Sequence, residues 1–213
     1  MDYFISDTHF FHNRLLTFER RPFDNIEDHD EAILCLLEQL HETDTLYHLG
    51  DFAFSAGLDN ARTTAFFKRW SKLKCKKILI KGNHDKRSNT HYEKYFDEVY
   101  DKNYYYSRRI VLSHYPIPVT DGVLNVHGHL HGSIIDKPNY INANIHVQKY
   151  KLLTANDLDN KIGSLPVDNR RFLCEWFASL QKFIEPRHDN LPLKPDGHVD
   201  FEKLAQQKFA ETQ

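Results

Sequence analysis

The sequence predicts a mixed α/β fold built on a parallel sheet. Three observations carry the prediction. Short apolar segments alternate with segments of helical periodicity through about residue 81. A β-rich stretch follows, to about residue 145. Five of the apolar segments end directly on a conspicuous polar group. Strand–helix–strand–helix–strand with short links is the pattern of a parallel α/β core.

Residues 2–6 read as a short buried strand from their apolar and aromatic run. Residues 27–41 read as a helix, because Ile33, Leu36, Leu37 and Leu40 recur at helical spacing. A second strand is expected over 45–49. A second helix is expected over 58–73, with Ala61, Ala65, Phe66 and Trp70 on or near one face. Ile78, Leu79 and Ile80 centre a third strand over 77–81. After a short helical stretch near 91–96, strands are expected at 104–106, 110–113, 124–127 and 140–145, punctuated by Pro116, Pro118, Gly122 and Pro138. From Ala155 the texture becomes polar and helical, broken by Pro166, Pro186, Pro192 and Pro195, with helices expected over 167–184 and 200–210. The expected organisation is a core over 1–154 and a helical C-terminal extension over 155–213, packed on that core.

Composition sets the bounds. A chain of 213 residues, 40% hydrophobic and 27% charged, is long enough to bury a core without disulfides. Its 28 Lys and Arg nearly balance 30 Asp and Glu, so no global polycation is available to coat nucleic acid. Cys35, Cys75 and Cys174 are scattered and form no C-x-x-C pair, which fits a reducing compartment. The first residues lack a basic start and a long apolar run, and no apolar stretch approaches the roughly 20 residues of a membrane span. A cytoplasmic protein with no membrane partner is expected. Fourteen histidines stand out, and their positions must decide their use.

Those positions are informative. The first strand runs into Asp7-Thr8-His9, the second into Gly50-Asp51 and the third into Gly82-Asn83-His84-Asp85. The segment 110–113 runs into His114, and 124–126 leads into His127-Gly128-His129-Leu130-His131. Sites in open α/β sheets lie beyond the carboxyl ends of the strands, so five such clusters can converge. Asp7 and His9 are two residues apart, as are His129 and His131, which in extended backbone puts each pair on one face. Glycines before Asp51, Asn83 and His129 permit sharp turns and close approach. Asp, Asn and His without Cys favour borderline or harder divalent ions such as manganese, iron or zinc.

Asp-x-His, Gly-Asp, Gly-Asn-His-Asp, an isolated His and Gly-His-x-His, in that order from Asp7 to His131, resemble the calcineurin-like metallophosphoesterase superfamily. The resemblance implies a four-layer α/β/β/α sandwich with two divalent metal ions (Mn, Fe, Zn or Ni, with Mn favoured) at the strand ends. Carried over, Asp7, His9, Asp51 and His131 would hold one ion. Asp51, Asn83, His114 and His129 would hold the second, with Asp51 bridging. His84 matches the family histidine that contacts phosphate and assists the leaving group. Many relatives carry an acidic residue three positions after the bridging Asp, to orient that histidine. Here Phe54 stands there, so Asp85 becomes the candidate orienting and catalytic partner.

Two divalent ions about 3.5–4 Å apart clamp a phosphate and bring the pKa of a bridging water toward neutrality. The expected reaction is hydrolysis of a phosphomonoester or phosphodiester by in-line attack of that hydroxide. A small or flexible phosphate ester is the expected substrate. A nuclease acting on DNA or RNA is the alternative enzyme, and a non-catalytic metal-binding scaffold is the rival of another class. Oligomeric state is left open by the sequence.

Other residues have ordinary structural readings beside the functional ones. His12 is a cleft-lining residue or a loop histidine. His48 reads as a packed histidine with a satisfied hydrogen bond, and His127 as a possible support for the site. His29, His41, His91, His146, His188 and His198 default to solvated surface, and Asp2 and Asp30 to polar element edges. Residues 68–87 carry nine Lys and Arg against Asp85 alone. They read as a solvated face or as a positive rim that steers phosphates, to which Arg20, Arg21, Arg108 and Arg109 could add. Tyr104, Tyr105 and Tyr106 read as a half-buried strand rather than a base-stacking platform.

Overall fold

Alternation along each strand decides how the sheets are used. In the computed structural model, which describes residues 1–54 and 61–165, β1 (Asp2–Ile5), β2 (Thr45–His48), β3 (Lys76–Ile80) and β4 (Glu98–Tyr100) run parallel. A short antiparallel strand, β9 (Leu153–Thr154), closes the β1 edge, giving the order β4-β3-β2-β1-β9. Ile5, Leu46 and Leu79 face one side of this sheet, and Phe4, Tyr47, Ile78 and Ile80 the other.

The first side receives the helices. Helix α2 (Ile26–Leu37) brings Ile33, Leu34 and Leu37, and α3 (Ala61–Trp70) brings Phe66 and Trp70. Tyr92 of α4 (Asn89–Tyr92) and Phe96 complete this core. Helix α2 begins where the Asn25 side chain accepts the Asp28 N–H, with Glu27 and Asp28 favourable to the dipole in its first turn. The second side meets a four-stranded sheet, ordered β5 (Tyr104–Ser107), β6 (Ile110–Leu112), β7 (Leu124–His127) and β8 (Tyr140–Asn142). Ile110, Leu112, Leu124 and Val126 pack there against Phe4, Tyr47, Ile78 and Ile80. The expected sheet-on-sheet sandwich is present. Helix α5 (Ala155–Gly163), started by a Thr154–Asp157 capping box, contacts β9, β1 and β7 and adds Leu158 to the core between the sheets.

The chain divides into two units, Met1–Asp168 and Asn169–Gln213, and every described residue lies in the first. The helices expected over 167–184 and 200–210 lie outside the described residues. Strands β4 and β9 and helix α1 (Asn13–Phe18) were not legible in the sequence. Three, two and six residues are too few to establish a period. Tyr104 and Tyr106 pack against the core between the sheets, and the Tyr106 hydroxyl donates to Asp2, so these tyrosines are structural. No helix among the described residues is long and apolar enough to cross a membrane.

Candidate metal centre

Beyond their last paired residues, β1 and β2 stay in step. Asp7 N–H donates to Gly50 O at 3.0 Å and His9 N–H to Asp51 O at 3.0 Å. The loop after β3 is drawn to them by Asp85. Its carboxylate accepts the N–H groups of Asp51 (2.7 Å), Gly82 (2.8 Å) and Phe52 (3.1 Å). Asp85 therefore binds backbone: its hydrogen bonds go to these N–H groups and not to the His84 ring, which corrects its reading as the partner that orients His84. Gly50, at φ +90°, and Gly82 make the approach possible. A Cβ on Gly82 would stand 2.3 Å from Asp51 Oδ1.

The second sheet joins through His114 at the end of β6. Its Nδ1–H donates to Leu49 O at 2.8 Å, which leaves Nε2 as the free lone pair. That Nε2 lies 2.9 Å from Asn83 Oδ1 and 3.5 Å from Asp51 Oδ2. His129 Nδ1 lies 3.0 Å from the same Asn83 oxygen, and His129 N–H reaches both Asp7 oxygens at 3.2 Å. His9 Nε2 is 3.5 Å from Asp51 Oδ2, and the His9 and His131 rings stack at 5.7 Å. His84 donates its N–H to Asp51 Oδ1 at 2.9 Å and sets its ring edgewise to His9 at 5.3 Å. All nine expected site residues thus belong to one contact network.

Two details differ from expectation. Asp7, His9, Asp51, His129 and His131 hold positive φ between 46° and 68°, so the Asp-x-His and His-x-His pairs share a face through left-handed backbone and not through extended chain. Each such residue costs about 1 kcal/mol or more and persists only where its surroundings enforce it. Donor atoms also group as Asp7 with Asp51 and His114, and as His9 with Glu19 and His131, each set within 4.8 Å. Asp7, expected at the first ion, also lies within reach of His114 of the second. Glu19 was missed; nothing in Phe18-Glu19-Arg20-Arg21 marks it.

The donor set fits divalent cations. Both ring nitrogens of His9 and Asp51 Oδ2 are buried without a hydrogen-bond partner, a costly state for polar atoms unless something else binds them. Burial pushes Asp7 up to about 6 and Asp51 upward as well. It pushes His9 well below the usual imidazole range and His129 down to about 4. Cations would reverse these penalties, since they favour ionised carboxylate and neutral imidazole.

Neighbouring histidines sort themselves by contact. His12 stacks on Phe54 at 4.4 Å and lies 5.7 Å from His9, lining the site. Thr8 donates its hydroxyl to Phe52 O, so His48 Nε2–H must donate to Thr8, a satisfied core bond. His127 Nδ1–H donates to Gly128 O, holding the turn before His129. His29 and Asp30 are fully buried, which corrects their readings as surface and element edge. His29 meets Arg21 at 2.6 Å and Asp30 at 3.0 Å. Arg21 has no exposed side chain and is no part of a positive rim. In the basic stretch, Arg69 pairs with Glu31 and Glu38, and Lys76, Lys77 and Lys81 pair with Glu98, Asp97 and Asp101.

An uncharacterised Methanocaldococcus jannaschii protein, MJ1445, is 28% identical over 145 residues, covering 66% of this chain and 74% of that one. The crystal structure of AQ665 from Aquifex aeolicus, a protein of unknown function, is 32% identical with a TM-score of 0.59, over 75% of this chain and 98% of that one. Nuclease MPE of Pseudomonas putida is 23% identical with a TM-score of 0.45, over 61% of each chain. The model of the calcineurin-like phosphoesterase family matches residues 3–194, and the chain belongs to that family.

Proposed function

We propose that the protein is a dinuclear-metal phosphoesterase that hydrolyses a small or flexible phosphate ester. The observation that carries the reading is Asp51 Oδ2, buried, without a hydrogen bond, and 3.5 Å from an imidazole nitrogen on each side. That is too far for a hydrogen bond and is the spacing of donors arranged around ions. In this reading Asp7, His9, Asp51 and His131 hold one ion and Asp51, Asn83, His114 and His129 the other. Two ions held there supply Lewis acidity and an activated water.

The chain's own residues do the rest. Asn83 contributes a neutral oxygen, which leaves net positive charge for an anionic substrate. His84, fixed at its backbone by Asp51, offers its ring to the phosphate and the departing oxygen. Asp85 holds the two loops in register. A small or flexible ester is favoured over a long nucleic acid because Arg69, Lys76, Lys77 and Lys81, four of the nine cations in 68–87, are paired with carboxylates, which lowers the positive charge offered to a polyanion.

Chromogenic monoester and diester substrates and a labelled oligonucleotide, each with added manganese, test this. Hydrolysis of a chromogenic ester that is lost in Asp51→Asn is the expected result. Cleavage of the oligonucleotide alone would favour a nuclease. Inactivity on all three and on a nucleotide panel would favour a scaffold.

A further inference from the structure

Outside the expected ligands, a buried, hydrogen-bonded carboxylate touches one of them, His131. Glu19 stands at the end of α1 with its side chain only 4% exposed. One oxygen, Oε1, meets His131 Nδ1. The other accepts from Arg21, at 2.8 Å from both Nε and Nη2. Arg21 then donates Nη2 to Asp7 O at 2.7 Å and Nη1 to Thr8 O at 3.3 Å. A guanidinium only donates, so its 2.6 Å contact makes His29 Nε2 an acceptor. His29 Nδ1–H therefore donates to Asp30, whose other oxygen accepts from Phe11 N–H and Arg62. The group behind the site is thus tied into α2 and α3.

We propose that Glu19, clamped by Arg21, is a positioning residue that sets His131 for metal binding, while Arg21 holds the Asp7-Thr8-His9 loop. The inference rests on the dinuclear reading above and adds to it. An ionised carboxylate only accepts hydrogen bonds, so the His131 nitrogen facing Glu19 carries the proton, and Nε2 keeps the lone pair for an ion. The His131 side chain is 43% exposed, and besides the stacked His9 ring Glu19 is the group that fixes its orientation. Arg21 bonds the carbonyls of a segment whose ends, Asp7 and His9, both hold positive φ. One ion pair thereby fixes ligands from two distant parts of the chain. The rival is direct ligation, because a Glu19 oxygen also lies within 4.8 Å of donor atoms of His9 and His131.

A double-mutant cycle separates these roles. Manganese titration calorimetry is run on wild type, Glu19→Ala, His131→Ala and the double variant, with circular dichroism as the check on folding. Two ions should bind the wild type. Glu19→Ala should weaken one of them by about 10–100-fold, the usual effect of losing a carboxylate behind a histidine ligand. In the His131→Ala background, removing Glu19 should change affinity less than about threefold. Undiminished binding by Glu19→Ala, or fully multiplicative losses in the double variant, would overturn the proposal and leave the dinuclear reading intact. No manganese bound by wild type would overturn both. Should Glu19→Ala not fold, nitrogen-detected NMR of zinc-loaded wild type decides. A retained proton on His131 Nδ1 supports the proposal, and a proton on Nε2 overturns it.

Discussion

A carboxylate oxygen held 3.5 Å from two imidazole nitrogens and bonded to neither is an expensive arrangement in a protein interior. Asp51 has that environment, so Asp51→Asn should abolish hydrolysis and lower metal content, a loss larger than the roughly 10–100-fold of an outer residue. Full activity in this variant, measured with manganese present, would contradict the bridging role. His84→Asn should cut turnover by about 10²–10⁴-fold, the ordinary worth of a general acid, while elemental analysis finds the metal retained. A parallel loss of metal would make His84 a ligand instead. His48 gives a test away from catalysis. Burial holds its pKa down at about 3, whereas the unfolded chain protonates near 6.5. Between those values the unfolded state binds the extra proton, so stability is lost as pH falls. His48→Gln should flatten the fall in urea-unfolding stability between pH 6 and 4 by about 1.4 kcal/mol per pH unit; an unchanged slope would refute the assignment. At this scale the sequence was informative where residue type and motif coincide, as for Asp7 or His114. It gave no sign of Glu19, and it misread His29 and Asp30 as surface and element edge, because only the fold buries them beside Arg21 and one another.

Short strands that end together on one side of a sandwich make the site an edge property. Apolar runs revealed most strands to within a few residues, because β1, β2 and β3 are buried on both faces and read as continuous hydrophobic segments. The turns beyond them were legible in glycine but not in conformation: the left-handed φ of Asp7, His9, His129 and His131 follows from neighbours distant in sequence. Gly82 tests how tightly the edges are joined. In Gly82→Ala the new methyl would meet Asp51 Oδ1 at 2.3 Å, so the metal-free protein should lose about 1–3 kcal/mol in urea unfolding. Manganese affinity should fall with it. Unchanged stability and affinity would mean that the β2 and β3 loops are looser than their hydrogen bonds indicate.

For the whole molecule, metal is expected to act as part of the folded state. Buried carboxylates at Asp7 and Asp51 and unpartnered nitrogens at His9 destabilise the empty site, and ions that bind only the folded chain stabilise it by mass action. Manganese at a hundred times its dissociation constant should add about 2.7 kcal/mol at one site. That gain, read from thermal unfolding with and without chelator, should shrink below about pH 6, because protonated imidazole cannot ligate. Stabilisation undiminished at pH 5 would speak against a histidine-rich centre. The formal balance of charge, visible in the sequence, is matched by ion pairs along the basic stretch, which only the fold could reveal. The most direct test of the account is anomalous diffraction from a crystal of the full chain soaked in manganese. Two peaks about 3.5–4 Å apart are predicted, with Asp51 between them, one ringed by Asp7, His9 and His131 and the other by Asn83, His114 and His129. A map without peaks among these side chains would contradict it.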